Sequence, residues 1–174
     1  VYDVLVIGAG PAGSAAAIHL SKAGHSVLVV DREVFPRFRL GESLLPHTQS
    51  VIRKLGLLDK VLARPHVIKR GLEIGFGNSN REPTAIPFAE VLGNGERTTF
   101  NIRGEVLDEV LIEGAIDAGA EVRFGESVNS ILKLESGDVR VQLASCEVQA
   151  RWVIDASGQA CVVGRHLRQR KLME

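Results

Sequence analysis

Three glycines near the start of the chain are the first residues whose type and spacing could support chemistry. Gly8, Gly10 and Gly13 form the pattern Gly-x-Gly-x-x-Gly, with Pro11 and Ala12 between the last two. Between a strand and a helix, the first glycine permits a tight turn and the second lets the backbone approach a pyrophosphate. The third lets the helix pack closely on the strand. The helix would then present free N–H groups and the positive end of its dipole to the phosphates. The segment 8–13 therefore predicts a phosphate-binding loop.

One acidic residue completes this pattern. Asp31 lies 18 residues after Gly13, at the end of a second predicted strand. A carboxylate at this position can accept hydrogen bonds from both hydroxyls of an adenosine ribose, and it would repel a 2′-phosphate. The motif therefore favours FAD or NAD over NADP. The alternative is a glycine-rich turn in an ordinary α/β protein, with Asp31 as a simple turn residue.

The elements that must position these residues form a strand, a turn, a helix and a second strand. We predict strands at 2–7 and 26–30, and a helix over 14–23 that ends at Gly24. Together they span about 30 residues, which is typical of a βαβ unit.

The rest of the chain alternates between helices and short strands. We predict one or two short helices within 48–62, an amphipathic helix over 105–118 ended by Gly119, strands at 68–76, 85–91, 98–102, 122–124 and 152–154, and a hairpin of 128–134 with 139–143. The turn signal at 93–95 predicts that the strand 98–102 returns alongside 85–91. Helices and strands that alternate at both ends predict an α/β domain with a parallel sheet, into which antiparallel strands at about 68–102 are inserted.

Composition excludes several classes of protein. The 174 residues are 45% hydrophobic, and 21 Lys and Arg balance 21 Asp and Glu, so disorder and nucleic acid as the main partner are both disfavoured. No apolar run is long enough for a membrane span. No secretory signal is visible, and Cys146 and Cys161 form no CxxC pair. We therefore expect reduced thiols in a cytoplasmic protein.

Other kinds of catalytic or metal site have little support. The histidines show no HxxxH or HExxH spacing, so no metal site is predicted. Ser43 and Ser157 do not lie in a G-x-S-x-G elbow, which disfavours a hydrolase. No GxxxxGK[ST] motif occurs, which excludes a P-loop nucleotidase.

Four motifs, in order along the chain, resemble the flavin monooxygenase and halogenase superfamily, the fold group of p-hydroxybenzoate hydroxylase. They are GAGPAGSAAA at 8–17, FPRFRLGESLLP at 35–46, Arg103 with Leu107, Asp108 and Leu111 before and within a helix, and WVIDASG at 152–158 with Gly164 and Arg165. The segment 35–46 is most similar to a loop beside the flavin in FAD-dependent halogenases and their near relatives. The resemblance covers nearly the whole chain.

The resemblance implies FAD as the cofactor and suggests further contacts to it. It places Asp155, Ala156 and Gly158 at the diphosphate and ribityl part, Arg103 near the diphosphate or flavin, Val128 at the adenine, Arg32 at the adenine or ribose, and Gly41, Glu42 and Ser43 along the isoalloxazine. Structural roles stay open for each of these residues. Asp155 could cap the following segment, Arg103 and Arg32 could be exposed, Val128 could be a core residue, and 41–46 could be a plain loop.

The resemblance also suggests a catalytic residue. Halogenases carry a lysine two residues before a glycine, and Lys69 precedes Gly71 by two residues. The aromatic residues that usually follow are largely missing, since Glu73 and Gly75 occupy that stretch. A structural or solvated lysine is the alternative.

We therefore expect a partial Rossmann-like FAD-binding domain over 1–174, with most of a substrate domain missing. The expected function is that of the FAD-binding part of a halogenase or aromatic monooxygenase, in which reduced FAD reacts with oxygen. A small-molecule substrate and a separate flavin reductase are the expected partners, and the sequence does not indicate an oligomeric state. The alternatives are a reductase of the geranylgeranyl-reductase type, a non-catalytic dinucleotide-binding fragment, and an NAD-dependent Rossmann enzyme.

Overall fold

A computed structural model describes residues 1–38, 42–75, 77, 82–91 and 95–169. The chain divides into two compact units. The first unit contains Val1–Arg37 and Asp108–Glu174, and the second contains Phe38–Leu107.

Strands and short helices alternate along the chain. In chain order they are β1 (Tyr2–Ile7), α1 (Pro11–Lys22), β2 (Val27–Asp31), β3 (Glu42–Ser43), α2 (Pro46–Leu55), α3 (Leu58–Leu62), β4 (His66–Lys69), β5 (Gly71–Ile74), β6 (Thr84–Pro87), α4 (Phe88–Val91), β7 (Thr99–Ile102), α5 (Gly104–Asp117), β8 (Glu121–Phe124), β9 (Val128–Glu135), β10 (Asp138–Leu143), β11 (Glu147–Asp155) and α6 (Val162–His166).

The first unit is built on a six-stranded sheet in the order β8-β2-β1-β11-β10-β9. The strands β8, β2, β1 and β11 run parallel, and β10 and β9 continue the sheet as an antiparallel hairpin. Leu5, Val6, Leu28 and Val29 are almost completely buried, because both faces of a parallel sheet are covered. The carboxyl ends of β1, β2 and β11 therefore meet at one edge of the sheet.

The second unit contains two small antiparallel sheets, β3-β7-β4 and β5-β6, together with α2 and α3. Its most buried residues include Phe100 on β7 and Val61 on α3. The helix α2 begins at Pro46, whose fixed φ suits a first helical turn, and it ends at Gly56 in the left-handed conformation, with φ of 80°.

The helix α1 begins at Pro11, three residues earlier than predicted, because proline is well suited to the first helical position. The strand predicted at 68–76 is divided into β4 and β5, and residue 76 lies outside the described residues. The strand β11 begins at Glu147, five residues before the predicted start.

The prediction that the strand 98–102 pairs with 85–91 is wrong, and residues 93 and 94 of the predicted turn lie outside the described residues. Residues 88–91 are helical, β6 pairs with β5, and β7 pairs with β3 and β4. A turn signal indicates a reversal of the chain but does not choose the strand's partner. The pairing follows the burial of Phe100 and Ile102 in the core of the second unit.

Candidate dinucleotide-binding site

The glycine loop joins β1 to α1, and two of its glycines leave no room for a side chain. Gly8 has φ of 106°, and a Cβ atom built on it would lie 2.4 Å from the Ala156 carbonyl oxygen. A Cβ atom on Gly13 would lie 1.8 Å from the Gly8 carbonyl oxygen. At Gly10 a Cβ atom would meet the Nη2 atom of Arg37 at 3.4 Å, with no other described atom within 4 Å. The backbone at Gly10 is therefore open to a ligand.

The helix α1 presents an uncapped N-terminus beside this opening. Gly10 is its N-cap, so no side chain satisfies the first N–H groups, and the first turn contains no acidic residue. Pro11 and Ala12 lie exposed in that turn. An uncapped helix start with free N–H groups favours an anion.

The carboxylate of Asp31 lies at the end of β2, directly beside the loop. Its Oδ2 atom accepts a hydrogen bond of 2.8 Å from the Ala9 N–H, and its Oδ1 atom accepts one of 2.9 Å from the Glu33 N–H. The residue is 6% exposed. These contacts hold the carboxylate at the position that the sequence predicts for a ribose-binding acid.

Arg37 joins this site, although the sequence analysis gave it no role. Its Nη1 atom lies 3.2 Å from Asp31 Oδ2 and 3.2 Å from Glu33 Oε2, and its Nε atom lies 3.4 Å from Asp108 Oδ2. The arginine side chain is only 11% exposed. Arg37 and Asp108 both lie in family-like motifs, but they are 71 residues apart, so no sequence spacing could reveal the contact.

The end of β11 meets the loop through its backbone. Asp155 lies opposite Ile7 in the parallel pairing, and the Ala156 N–H donates to the Ile7 carbonyl oxygen at 2.9 Å. The close approach of Ala156 to Gly8 and Gly13 follows from this pairing. Gly158 begins the following 3-10 turn with φ of 60°.

The carboxylate of Asp155 is engaged within its own segment. It accepts hydrogen bonds from the Ser157 hydroxyl and N–H and from the Val163 N–H, the last at 2.7 Å. Burial alone would raise the pKa of Asp155, but these hydrogen bonds outweigh it and the pKa is lowered. The carboxylate therefore caps the start of α6. Contact of Asp155, Ala156 and Gly158 with a cofactor stays a prediction.

Val128 and Arg32, which the resemblance places at the adenine or ribose, both lie close to the end of β2. The Glu126 N–H donates to the Asp31 carbonyl oxygen at 2.9 Å, which brings the start of β9 to the end of β2. Val128, at that start, is half-buried and packs against the core of the first unit. The Arg32 side chain is 68% exposed and lies 3.8 Å from Glu33.

The remaining predicted residues belong to the second unit. The Arg103 side chain is 74% exposed, and its Nε atom donates to Glu105 Oε1 at 2.8 Å, a bond that lowers the pKa of Glu105. Gly41 lies outside the described residues, and Glu42 is described only as part of β3.

Lys69 and Ser43 are brought together in this unit. The Lys69 Nζ atom donates to Ser43 Oγ at 3.0 Å and lies 5.6 Å from the centre of the Phe88 ring. The two residues lie on β4 and β3, the strands that flank β7.

Within the described ranges, no group of three or more His, Cys, Asp or Glu side chains could hold a metal ion. None of the described helices has the length and apolar character required to cross a bilayer. Cys146 and Cys161 are free thiols.

A glycine loop at the carboxyl ends of a parallel sheet, with an acid at the end of the second strand, defines a Rossmann-like dinucleotide-binding protein. The family model described as "FAD binding domain" matches residues 1–173. The chain therefore belongs to the FAD-binding domain family, and its cofactor is FAD.

Similar proteins include several halogenases. A 1H-pyrrole-2-carbonyl-(peptidyl-carrier protein) chlorinase of Pseudomonas fluorescens is 33% identical over 98% of this chain and 42% of its own length. A tryptophan 2-halogenase of Chondromyces crocatus is 32% identical over 98% of this chain and 33% of its own length. The chain thus spans less than half the length of these curated relatives.

Solved structures show the same likeness. A flavoprotein/dehydrogenase of Cytophaga hutchinsonii superposes with a TM-score of 0.88 and 34% identity, covering 98% of this chain and 43% of that one. The flavin-dependent halogenase CmlS gives a TM-score of 0.86 and 32% identity, covering 95% of this chain and 30% of that one.

The residues of the first unit fit the adenosine and diphosphate half of FAD. The open backbone at Gly10 and the uncapped helix suit a diphosphate. The fixed carboxylate of Asp31 suits ribose hydroxyls and disfavours a 2′-phosphate.

Proposed function

We propose that this chain is the FAD-binding part of a flavin-dependent halogenase. When bound and reduced, FAD supplies the reaction with oxygen, and the protein supplies binding, orientation and electrostatics. The loop 8–13 would hold the diphosphate, Asp31 would accept the ribose hydroxyls, and the segment 41–43 would lie along the isoalloxazine. The Lys69 ammonium would hold its proton at Nζ and orient the oxidised halogen toward a small-molecule substrate.

The observation that supports this proposal best is the contact between Lys69 and Ser43. Ser43 belongs to the Gly-Glu-Ser segment that resembles the flavin loop of halogenases, and Lys69 reaches it across β7 with Nζ at 3.0 Å from Oγ. The buried ring of Phe88 lies on another side of the ammonium. A lysine held between a hydroxyl and a ring is restricted in orientation, which a positioned catalytic group requires.

The relatives support the same class of reaction. Those named above are described as a chlorinase and a halogenase. The complete protein would act on a small-molecule substrate, receive reduced flavin from a separate reductase and lie in the cytoplasm. The chain itself spans less than half the length of these relatives.

A monooxygenase or reductase without halide chemistry is the second candidate. Glu73 and Gly75 replace the aromatic residues expected after Gly71, and one similar structure is described as a flavoprotein/dehydrogenase. The product formed by the complete protein distinguishes the candidates.

The test uses the complete protein with FAD, a flavin reductase and bromide or chloride, and measures halogenated product by mass spectrometry. We expect Lys69→Met to lower the halogenation rate at least about 100-fold, because it removes the group that would orient the oxidised halogen. ADP affinity should be unchanged, because ADP lacks the flavin and Lys69 lies in the second unit, outside the phosphate loop. Lys54→Met, which changes an exposed lysine of the same unit, is the matched control. Halogenation by Lys69→Met at the wild-type rate would refute the catalytic role, and a hydroxylated product would favour the second candidate.

A further inference from the structure

The guanidinium of Arg37 is held on two sides and has donors left on the third. A guanidinium carries five N–H donors in a planar fork. Nε faces Asp108, and Nη1 faces Asp31 and Glu33. Among the described residues, Nη2 donates to no acceptor, and it is the atom 3.4 Å from the Cβ position of Gly10. The remaining donors therefore lie over the opening of the phosphate loop.

The plane of the guanidinium is also fixed. Its Cζ atom lies 4.3 Å from the centre of the Phe35 ring, and that ring packs on Phe124 with centroids 4.9 Å apart. An arginine stacked on a ring and bound along one edge cannot turn its free edge away without breaking these contacts. Lysine, with a single point charge, could not reproduce this arrangement.

We propose that Arg37 is a cofactor-binding residue whose Nη2 donates to the diphosphate of FAD, and that Asp108 is the positioning residue that holds it there. Asp108 is 3% exposed, so its charge needs a partner, and it binds Nε rather than the edge that faces the loop. The first unit consists of two chain segments, of which the first ends at Arg37 and the second begins at Asp108. The ion pair between these residues therefore links the two segments.

This inference rests on membership of the FAD-binding family and not on the halogenase chemistry proposed for Lys69. All residues involved belong to the first unit. The two proposals can therefore fail separately, because one concerns the diphosphate and the other concerns product formation.

The test measures the affinity of the 174-residue chain for ADP and for adenosine by isothermal titration calorimetry. We expect Arg37→Gln to weaken ADP binding about 10- to 100-fold, the range for a charge-assisted hydrogen bond. Adenosine binding should change less than about twofold, because adenosine has no phosphate. Arg37→Lys should recover only part of the loss. The dependence of ADP affinity on salt should become shallower in Arg37→Gln.

Asp108→Asn tests the positioning role. It should weaken ADP binding about tenfold, and it should add no further loss in the Arg37→Gln background. Glu109→Gln is the matched control, since it removes the next carboxylate on α5, which has no contact with Arg37 in the described structure. Thermal unfolding of each variant reports whether it folds. If Arg37→Gln does not fold, the affinities for ADP and adenosine are compared in Arg37→Lys instead.

Three results would overturn the proposal. The first is an equal loss of ADP and adenosine binding in Arg37→Gln, or in Arg37→Lys if only that variant folds. Such a result would mean that Arg37 only holds Asp31 in place and does not contact the diphosphate. The second is an additive loss in the double variant, which would give Asp108 an independent role. The third is a wild-type chain that does not bind ADP.

Discussion

Gly10 and Gly13 lie in the same loop but are glycines for different reasons. At Gly13 a side chain would collide with the backbone of Gly8, whereas at Gly10 it would meet only the tip of Arg37. The first conflict cannot relax without moving β1 or α1, and the second can relax by a side-chain shift. Gly13 therefore supports the fold, and Gly10 keeps a surface open for a ligand.

This difference predicts two distinct phenotypes. Gly13→Ala should destabilise the protein by about 1–3 kcal/mol or more, as overpacking does, which a urea unfolding curve would show. Gly10→Ala should unfold close to the wild-type denaturant concentration but bind ADP about tenfold more weakly, because its methyl group displaces the Arg37 donors. Similar stability for both variants would show that the loop tolerates a Cβ atom at Gly13.

At the scale of an element, the carboxylate of Asp138 accepts hydrogen bonds from side chains on both strands of the hairpin β9–β10. Asp138 accepts hydrogen bonds from Lys133 Nζ at 2.7 Å, Gln149 Nε2 at 2.9 Å and Arg140 Nε at 3.3 Å. The hydrogen bond from Lys133 is the main cause that lowers the pKa of Asp138 to about 2, followed by that from Gln149. Because Gln149 lies on β11, Asp138 links the hairpin to the parallel strands.

The lowered pKa predicts how stability depends on pH. A carboxyl group whose pKa is lower in the folded state stabilises the protein above its unfolded pKa and loses this contribution as pH falls through its folded pKa. Asp138→Asn should therefore lower the Tm slightly at pH 5–7, and the difference from wild type should vanish as pH falls from 3.8 toward about 2. Thermal unfolding across this range is the measurement. Glu135→Gln, which removes the other carboxylate bound to Lys133, should show a smaller difference.

At the scale of the whole molecule, the residues assigned to the cofactor are divided between two units. The glycine loop, Asp31 and Arg37 belong to the first unit, while the segment 41–43, Lys69 and Arg103 belong to the second. We assign the first group to the adenosine and diphosphate of FAD as part of our proposal.

This division predicts which parts of FAD the chain binds. ADP should bind the 174-residue chain with an affinity within about tenfold of that of FAD, and FMN should compete poorly with either. Calorimetry with each ligand, together with a visible spectrum after desalting from FAD, tests this. FMN binding as tight as FAD binding would contradict the prediction, because FMN lacks the adenosine half.

The sequence by itself determined the parts of the site whose residues are close along the chain. The unit of β1, the loop 8–13, α1 and β2 could be predicted because a strand, a turn and a helix depend on local patterns of residues. The place of Asp31 beside the loop followed from that unit, as did the need for glycine at Gly8 and Gly13. Family-like motifs added FAD, which the family model confirms.

Only the tertiary structure decided the contacts between distant segments. It paired β7 with β3 and β4, brought Lys69 to Ser43 over 26 residues, and joined Arg37 to Asp108 over 71. It also directed the Asp155 carboxylate to the Val163 N–H at the start of α6. These contacts depend on how sheets and helices pack, because the burial of residues such as Phe100 and the pairing of buried charges select among partners that the sequence leaves equivalent.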